Sequence, residues 1–173
     1  MNAAVEVIAA QGPMALSLRD LARRAGVSHA APAHHFGDRT GLLTAIAIEG
    51  YRLLAEELTG APELRELGVR YVRFALKHPA HFSVMFDARL IRADDPELTA
   101  ARARTYRPLR DAVAAVPTER RGEDTTLAGV AAWSLAHGMA TLWTTGALRA
   151  RLNADDPEQV FRSLAAILFP PIG

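Results

Sequence analysis

Between Leu16 and Leu43 two short helical patterns meet at a glycine, and that junction constrains the fold more than any other part of the chain. Ser17 opens the first pattern as an N-cap, with Asp20 three residues on, and Leu16 and Leu21 stand where a hydrophobic staple closes around such a cap. The pattern stops at Ala25-Gly26, where glycine takes the left-handed conformation that turns a chain sharply after a helix. Ser28 then caps another helix, and Asp38 caps a fourth that runs through LLTAIAIEGYRLLAEEL to about Leu58. Ala22 is small where the second helix approaches its partner, and Val27 is expected to plug the seam. A first helix, about Ala3 to Gln11, presents Val5, Ile8 and Ala9 on one side and stops at Gly12-Pro13. Phe36, Leu42, Leu43 and Ile46 are expected to complete a small core with Val5 and Ile8.

The helical period continues through the rest of the chain. No alternating strand pattern bounded by turn residues appears, so the expected class is all-α, with about nine helices. Gly60-Ala61-Pro62 breaks the chain before a helix from about Glu63 to His78, with Leu67, Tyr71, Phe74 and Ala75 on one face. A short apolar segment, AHFSVMF, follows Pro79. The sequence DDPE then occurs twice, at Asp94–Glu97 and Asp155–Glu158. Each reads as a helix start, with aspartate as N-cap, proline at the first helical position and glutamate near the positive end of the dipole. The first opens a helix reaching Val116 with a kink expected near Pro108, and the second a final helix striped with Val160, Phe161, Leu164, Ile167 and Leu168.

Between them Thr125–Leu148 carries no acidic or basic residue apart from His137. Five threonines, a serine and a histidine make it a poor lipid-facing helix, so it reads as a helix covered on several sides. Trp133, His137, Ala140 and Thr144 share one face at about 100° per residue, and Ala128, Ala131, Leu135, Met139 and Leu142 the opposite one. Two such faces need two partners, one of which is expected to be a second subunit.

At 173 residues, 50% hydrophobic and 23% charged, the chain has the composition of a globular protein. The formal net charge of +1 supplies no bulk attraction for nucleic acid, so any such binding needs charge concentrated on one face. The absence of cysteine excludes disulfides and thiolate metal sites and fits the cytoplasm, and the N-terminus lacks a signal-peptide pattern. There is no nucleophile elbow, P-loop, dinucleotide glycine pattern or H-E-x-x-H, so an enzyme is not expected. The histidines do not carry metal-site spacing, and neither a metal nor a cofactor is expected.

A DNA major groove admits one α-helix, so a reader must present a short helix held rigidly by others. Residues 17–36 have that arrangement. Arg23 and Arg24 in the last turn of the second helix can reach phosphate, and Ser17 and Ser28 place hydroxyls and unpaired backbone N–H groups at helix starts. The stretch LSLRDLARRAGVSHAAPAHHFGDRTGLLTAI resembles the DNA-binding domain of TetR-family transcriptional regulators, in particular the branch with SHAAP at the start of the reading helix and a C-terminal WHG domain. The match runs from about Ala3 to Leu54. The resemblance implies that His29, Ala30, Ala31 and His34 face base edges, and that Ser17, Ser28, His35 and Arg39 hold the phosphate backbone. Arg19 joins the DNA-facing set.

Two departures stand out. Ala33 occupies a position where the family usually has tyrosine, and the chain starts at about the family's first helix, without the preceding basic arm. Both remove phosphate contacts. Either a start lies upstream, or binding is weaker with a shallower salt slope. Unperturbed imidazoles titrate near neutrality, at a pKa of roughly 6.5, so protonation would add positive charge to this face. Tighter, more salt-sensitive binding is therefore expected at mildly acidic pH.

WSLAHG, Trp133 to Gly138, is similar to the Trp…His-Gly signature of the WHG domain, and HPAHFSVMF resembles that branch's short helix after the fifth. The resemblance implies a helix-turn-helix domain at 1–50 and a ligand-binding and dimerisation domain at 51–173. It further implies a pocket among the middle helices for a small apolar or amphipathic effector, with Tyr71, Phe74, His78, Phe82, Met85, Tyr106, Trp133 and His137 as candidate lining. The last two helices would pair in a homodimer through Leu135, Met139, Leu142, Phe161, Leu164 and Leu168. The function implied is a ligand-released homodimeric repressor on a palindromic operator. The competing reading is a ligand- or protein-binding relative with weakened or lost DNA binding.

Overall fold

In the computed structural model, which describes residues 1–28 and 30–168 and omits the side chains of Pro32, Arg120 and Leu168, every regular element is helical and no strand occurs among the described residues. The helices are α1 (Asn2–Gln11), α2 (Leu18–Ala25), α3 (Ala30–Phe36), α4 (Arg39–Leu58), α5 (Leu64–Lys77), α6 (Pro79–Met85), α7 (Pro96–Ala114), α8 (Thr118–Arg121), α9 (Thr125–Thr144), α10 (Ala147–Leu152) and α11 (Pro157–Leu168). A single 3₁₀ turn, Pro13–Ala15, joins α1 to the residues before α2. The short α8 and α10 go beyond the nine helices expected. The expected Thr125–Leu148 helix ends at Thr144, because Gly146 takes a left-handed conformation (φ 81°) and starts α10 in a new direction. No described helix is long and apolar enough to cross a membrane.

Both DDPE motifs act as read. Asp95 accepts the N–H groups of Glu97 and Leu98 at 2.9 and 3.0 Å, and Asp156 those of Glu158 and Gln159 at 2.9 and 3.1 Å. Each aspartate thus satisfies two of the donors a helix start leaves open. Helix α7 runs on through Pro108.

Packing divides the chain into two compact units that interleave in sequence, unlike a cut at residue 50. The first holds Met1–Leu53 with His78–Ala103, and the second Leu54–Lys77 with the described residues from Arg104 to Leu168. Helix patterns in a sequence show where elements begin, but not which neighbours they cover, so the membership of 78–103 was not visible there.

In the first unit Ala4, Val7 and Ile8 of α1 are buried with Leu21, Ala22, Leu42, Leu43 and Ile46. Val5 is only half-buried and Ala9 is exposed, which corrects the expected Val5–Ile8–Ala9 face. The rotation follows from a neighbour the sequence did not announce, since α1 packs on α6 as well as α2. Val27 is also 48% exposed rather than plugged into the seam. Helices α4 and α6 lie close: a Cβ at Gly50 would stand 2.6 Å from Met85 Sδ, and the Tyr51 hydroxyl donates to the Met85 carbonyl at 3.0 Å.

The second unit is organised around α5, which packs against α9 and α11. Gly68 leaves a notch in α5 that the Phe161 ring fills, and an added Cβ would overlap that ring. On the rim, Arg73 forks onto both oxygens of Glu158 at 2.7 and 2.8 Å and reaches Glu57, while Arg162 pairs with Glu66 at 2.9 Å. The Glu158 fork raises the Arg73 pKa above its usual value and lowers that of Glu158. These pairs are partly solvated, so they orient α11 more than they stabilise it.

Candidate functional site

Helices α2 and α3 take their shape from their ends. Ser17 is extended (φ −127°, ψ 124°), and its side chain accepts the Asp20 N–H at 3.4 Å while its carbonyl accepts Leu21 N–H at 3.0 Å. At the other end Gly26 is left-handed (φ 65°), and Val27 N–H reaches back to Ala22 O at 3.1 Å, the bond that closes a helix on such a glycine. The seven residues of α3 follow, packed on α2. Ala30, Ala31, Ala33, His34 and His35 are exposed, and His35 meets the half-buried Phe36 edge-on at 4.4 Å. Arg19 and Ser28 are exposed on the same segment, and Ser17 is half-buried with its hydroxyl engaged in the cap. His29 lies outside the described residues. A short helix with small and imidazole side chains toward solvent can approach base edges closely.

Arg39 is placed differently from the other expected phosphate contacts. Its Nη2 donates to the Pro13 carbonyl at 2.7 Å and approaches Met14 Sδ at 3.4 Å, and its Nε is buried with no hydrogen-bond partner. The side chain therefore ties the 3₁₀ turn to α4. Asp38 caps α4 through the Gly41 N–H at 2.7 Å, and this bond, more than its ion pair with Arg92, lowers its pKa. Arg92 at this junction was absent from the sequence expectations, because nothing local marks a loop arginine that lies 54 residues away.

In the second unit three of the expected pocket residues form a chain. Trp133 Nε1 donates to the Tyr71 hydroxyl oxygen at 3.3 Å, and the Tyr71 hydroxyl lies 2.9 Å from His137 Nδ1. The phenol thus bridges the indole and the imidazole, since its oxygen accepts the indole proton and shares one further hydrogen bond with Nδ1 of His137. Burial lowers the His137 pKa. Phe74 is fully buried in the core of this unit, and Tyr106 is 59% exposed. His78, Phe82 and Met85 belong to the first unit: His78 lies 5.8 Å from the His81 ring, Phe82 stacks edge-on to Phe86 at 5.4 Å, and Met85 is fully buried.

Helix α9 buries Ala128, Ala136, Met139, Ala140 and Trp143. The large Trp143 ring sets the inward direction, which turns Ala131 and Leu142 outward although Ala128 and Met139 face in. The outward face carries Leu127 (65% exposed), Val130, Ala131, Ser134, Thr141 and Leu142, with no charge among them. Of the expected dimer residues, Leu142 is exposed, Leu135 and Leu164 are half-buried, and Met139 and Phe161 are packed inside the unit. The Leu168 side chain lies outside the described residues. Ile167 (76% exposed) was read as part of the apolar stripe of the last helix, whereas Leu127 and Val130 were not anticipated, although 127, 130, 131, 134, 138, 141 and 142 form an uncharged row at helical spacing.

Residues 1–46 match the family model described as bacterial regulatory proteins, tetR family, and residues 64–168 the one described as tetracyclin repressor-like, C-terminal domain. The second match alone covers more than half of the chain. Among solved structures, one of a protein of unknown function from Rhodococcus sp. RHA1 is 28% identical over 97% of this chain and 90% of that one, with a TM-score of 0.79. A bacterial regulatory protein in the tetR family from Rhodococcus RHA1 is 22% identical over 99% and 95%, with a TM-score of 0.75. The TetR family transcriptional regulator PfmR from Thermus thermophilus is 23% identical over 98% and 96%, with a TM-score of 0.68. No curated protein matches the sequence. On the matches to both of its domains, the chain belongs to the TetR family, whose members are DNA-binding transcriptional regulators and not enzymes.

Proposed function

We propose that this regulator is a homodimeric repressor that holds a palindromic operator and releases it when a small, largely apolar effector binds. The observation that carries the reading is the uncharged outer face of α9, with Leu127, Val130 and Leu142 exposed and Ile167 exposed on α11. Apolar rows of this kind are uncommon on monomers and suit a self-complementary helix pairing. A symmetric dimer carries two copies of α3, and two reading helices related by a two-fold axis call for two inverted half-sites. The DNA-facing set is Ser17, Arg19, Ser28, His29, Ala30, Ala31, His34 and His35, with Arg39 as a brace behind it. In the cytoplasm, where the operator would be found, the effector is read by Trp133, Tyr71 and His137. An acceptor on the ligand that takes the Trp133 or Tyr71 proton breaks the Trp133–Tyr71–His137 chain and re-spaces α9 against α5. Such a ligand shifts the population only by its differential affinity for the two arrangements.

Sedimentation of the full chain together with selection from a random duplex library tests this. A two-subunit species and an enriched inverted repeat are expected. A monomer at micromolar concentration, or enrichment of a single half-site, overturns the dimeric repressor.

A further inference from the structure

Helix α3 is short, and its base is incompletely filled. Behind it a half-open apolar cleft of about 230 Å³ is lined by Ala4, Leu21, Ala25, Ala31, Phe36 and Leu42, among others. Space without partner atoms removes the contacts that fix a helix in a packed core, so the tilt of α3 depends on how its two ends are tied. One end is tied by the Gly26 turn. The other is the junction from Phe36 to Gly41, and four features meet there. Gly37 is left-handed (φ 78°). The Phe36 carbonyl abuts the bare backbone of Gly41, where any Cβ would collide with it. Asp38 caps α4 through Gly41. Finally, Arg92, from the loop between α6 and α7, lies across the whole turn: its Nη2 is 3.1 Å from Asp38 Oδ2 and 3.5 Å from a Cβ position at Gly37, and its Cζ is 3.4 Å from a Cβ position at Gly41.

The loop that delivers this guanidinium is itself anchored. Leu90 and Ile91 are buried, and the Arg92 N–H donates to Thr44 Oγ1 at 2.9 Å. Thr44 is buried in α4 and passes its own proton to the Thr40 carbonyl at 2.8 Å. The strap thus has a fixed backbone end on α4 and a charged end on the α3–α4 turn. A planar guanidinium can lie flat on two glycines and still bond a carboxylate, which an ammonium cannot do equally well.

We infer that Arg92 is a positioning residue for DNA reading: it straps the Phe36–Gly41 turn and so holds α3 at the angle at which it enters the groove. The inference rests on the reading of α3 as the DNA-entering helix. Arg92 acts through Asp38 and the turn, and not by touching phosphate.

Two measurements on the full chain test it, comparing wild type with Arg92→Ala and Arg92→Lys. The first is amide hydrogen exchange, which needs no DNA. Faster exchange at Gly37, Gly41 and Leu42 in Arg92→Ala is expected, with the α9 amides unchanged; unaltered exchange at the turn overturns the strap. The second is binding of the duplex that the wild-type chain enriches from a random library, at several salt concentrations. Arg92→Ala should weaken it about tenfold with an unchanged salt slope, and Arg92→Lys should recover part of the loss. A slope lowered by about one ion makes Arg92 a phosphate contact and overturns the strap, as does unchanged affinity. A wild-type chain that enriches no duplex refutes the DNA reading, and then the exchange result alone decides whether Arg92 straps the turn.

Discussion

The first unit places its decisive groups at helix ends, whereas the second places them on helix sides. Ser17, Gly26, Gly37, Asp38 and Arg92 all act where a helix starts, stops or turns. Tyr71, Trp133, His137, Phe161 and the exposed row of α9 act across the flanks of long helices. The difference matches the proposed tasks. Presenting a seven-residue helix to DNA requires a fixed direction, which end-groups set. Enclosing a ligand and meeting a second subunit, as proposed for the second unit, would require area, which flanks supply.

The largest effect should come from attacking a flank. Gly68→Val drives two methyl groups into the seat of Phe161 and should destabilise the protein by about 3 kcal/mol, because overpacking a filled notch displaces a whole aromatic ring. Urea unfolding reads this directly, and a loss below about 1 kcal/mol would mean that α11 can shift aside. Next, Leu142→Arg puts a charge into the outer face of α9. If that face joins two subunits, association should weaken by about 2–3 kcal/mol, seen as dissociation in sedimentation while thermal unfolding of the monomer barely moves.

End-groups should cost less. Ser17→Ala removes the acceptor for Asp20 N–H, an expected loss of about 1 kcal/mol, read by unfolding and by faster exchange at the start of α2.

The smallest effect is a pH dependence expected from a flank residue of the second unit. Burial lowers the His137 pKa, so the fold favours its neutral ring. No penalty exists above the unfolded-state value of about 6.5, and stability is lost as pH falls below it toward the folded value. Replacing His137 with glutamine should therefore flatten the decline in unfolding free energy between neutral and mildly acidic pH. Unfolding titrations of wild type and His137→Gln at neutral and mildly acidic pH would check this, and parallel declines in the two would overturn it. His34 and His35, by contrast, are exposed on α3.

How much was legible in advance follows the same division. The caps at Ser17, Asp38, Asp95 and Asp156 and the turn at Gly26 were readable because each depends on residues within four positions along the chain. Flank contacts were read less well. Met139 and Phe161 are apolar on apolar stripes, and only the neighbouring helices decide whether such a stripe faces its own core or a partner. Arg39 carries the charge expected of a phosphate contact, yet the carbonyl of Pro13 lies within its reach and engages it.

By itself, then, the sequence determined the helical class, the start and stop of most helices and the reading motif, since these arise from backbone periodicity and local hydrogen bonding. Tertiary structure alone decided that residues 78–103 pack with the first unit, that α9 turns Trp143 inward and Leu142 outward, and that Arg92 reaches the α3–α4 turn. Those outcomes depend on volumes and charges brought together from distant positions, and local pattern contains no record of which distant residues will meet.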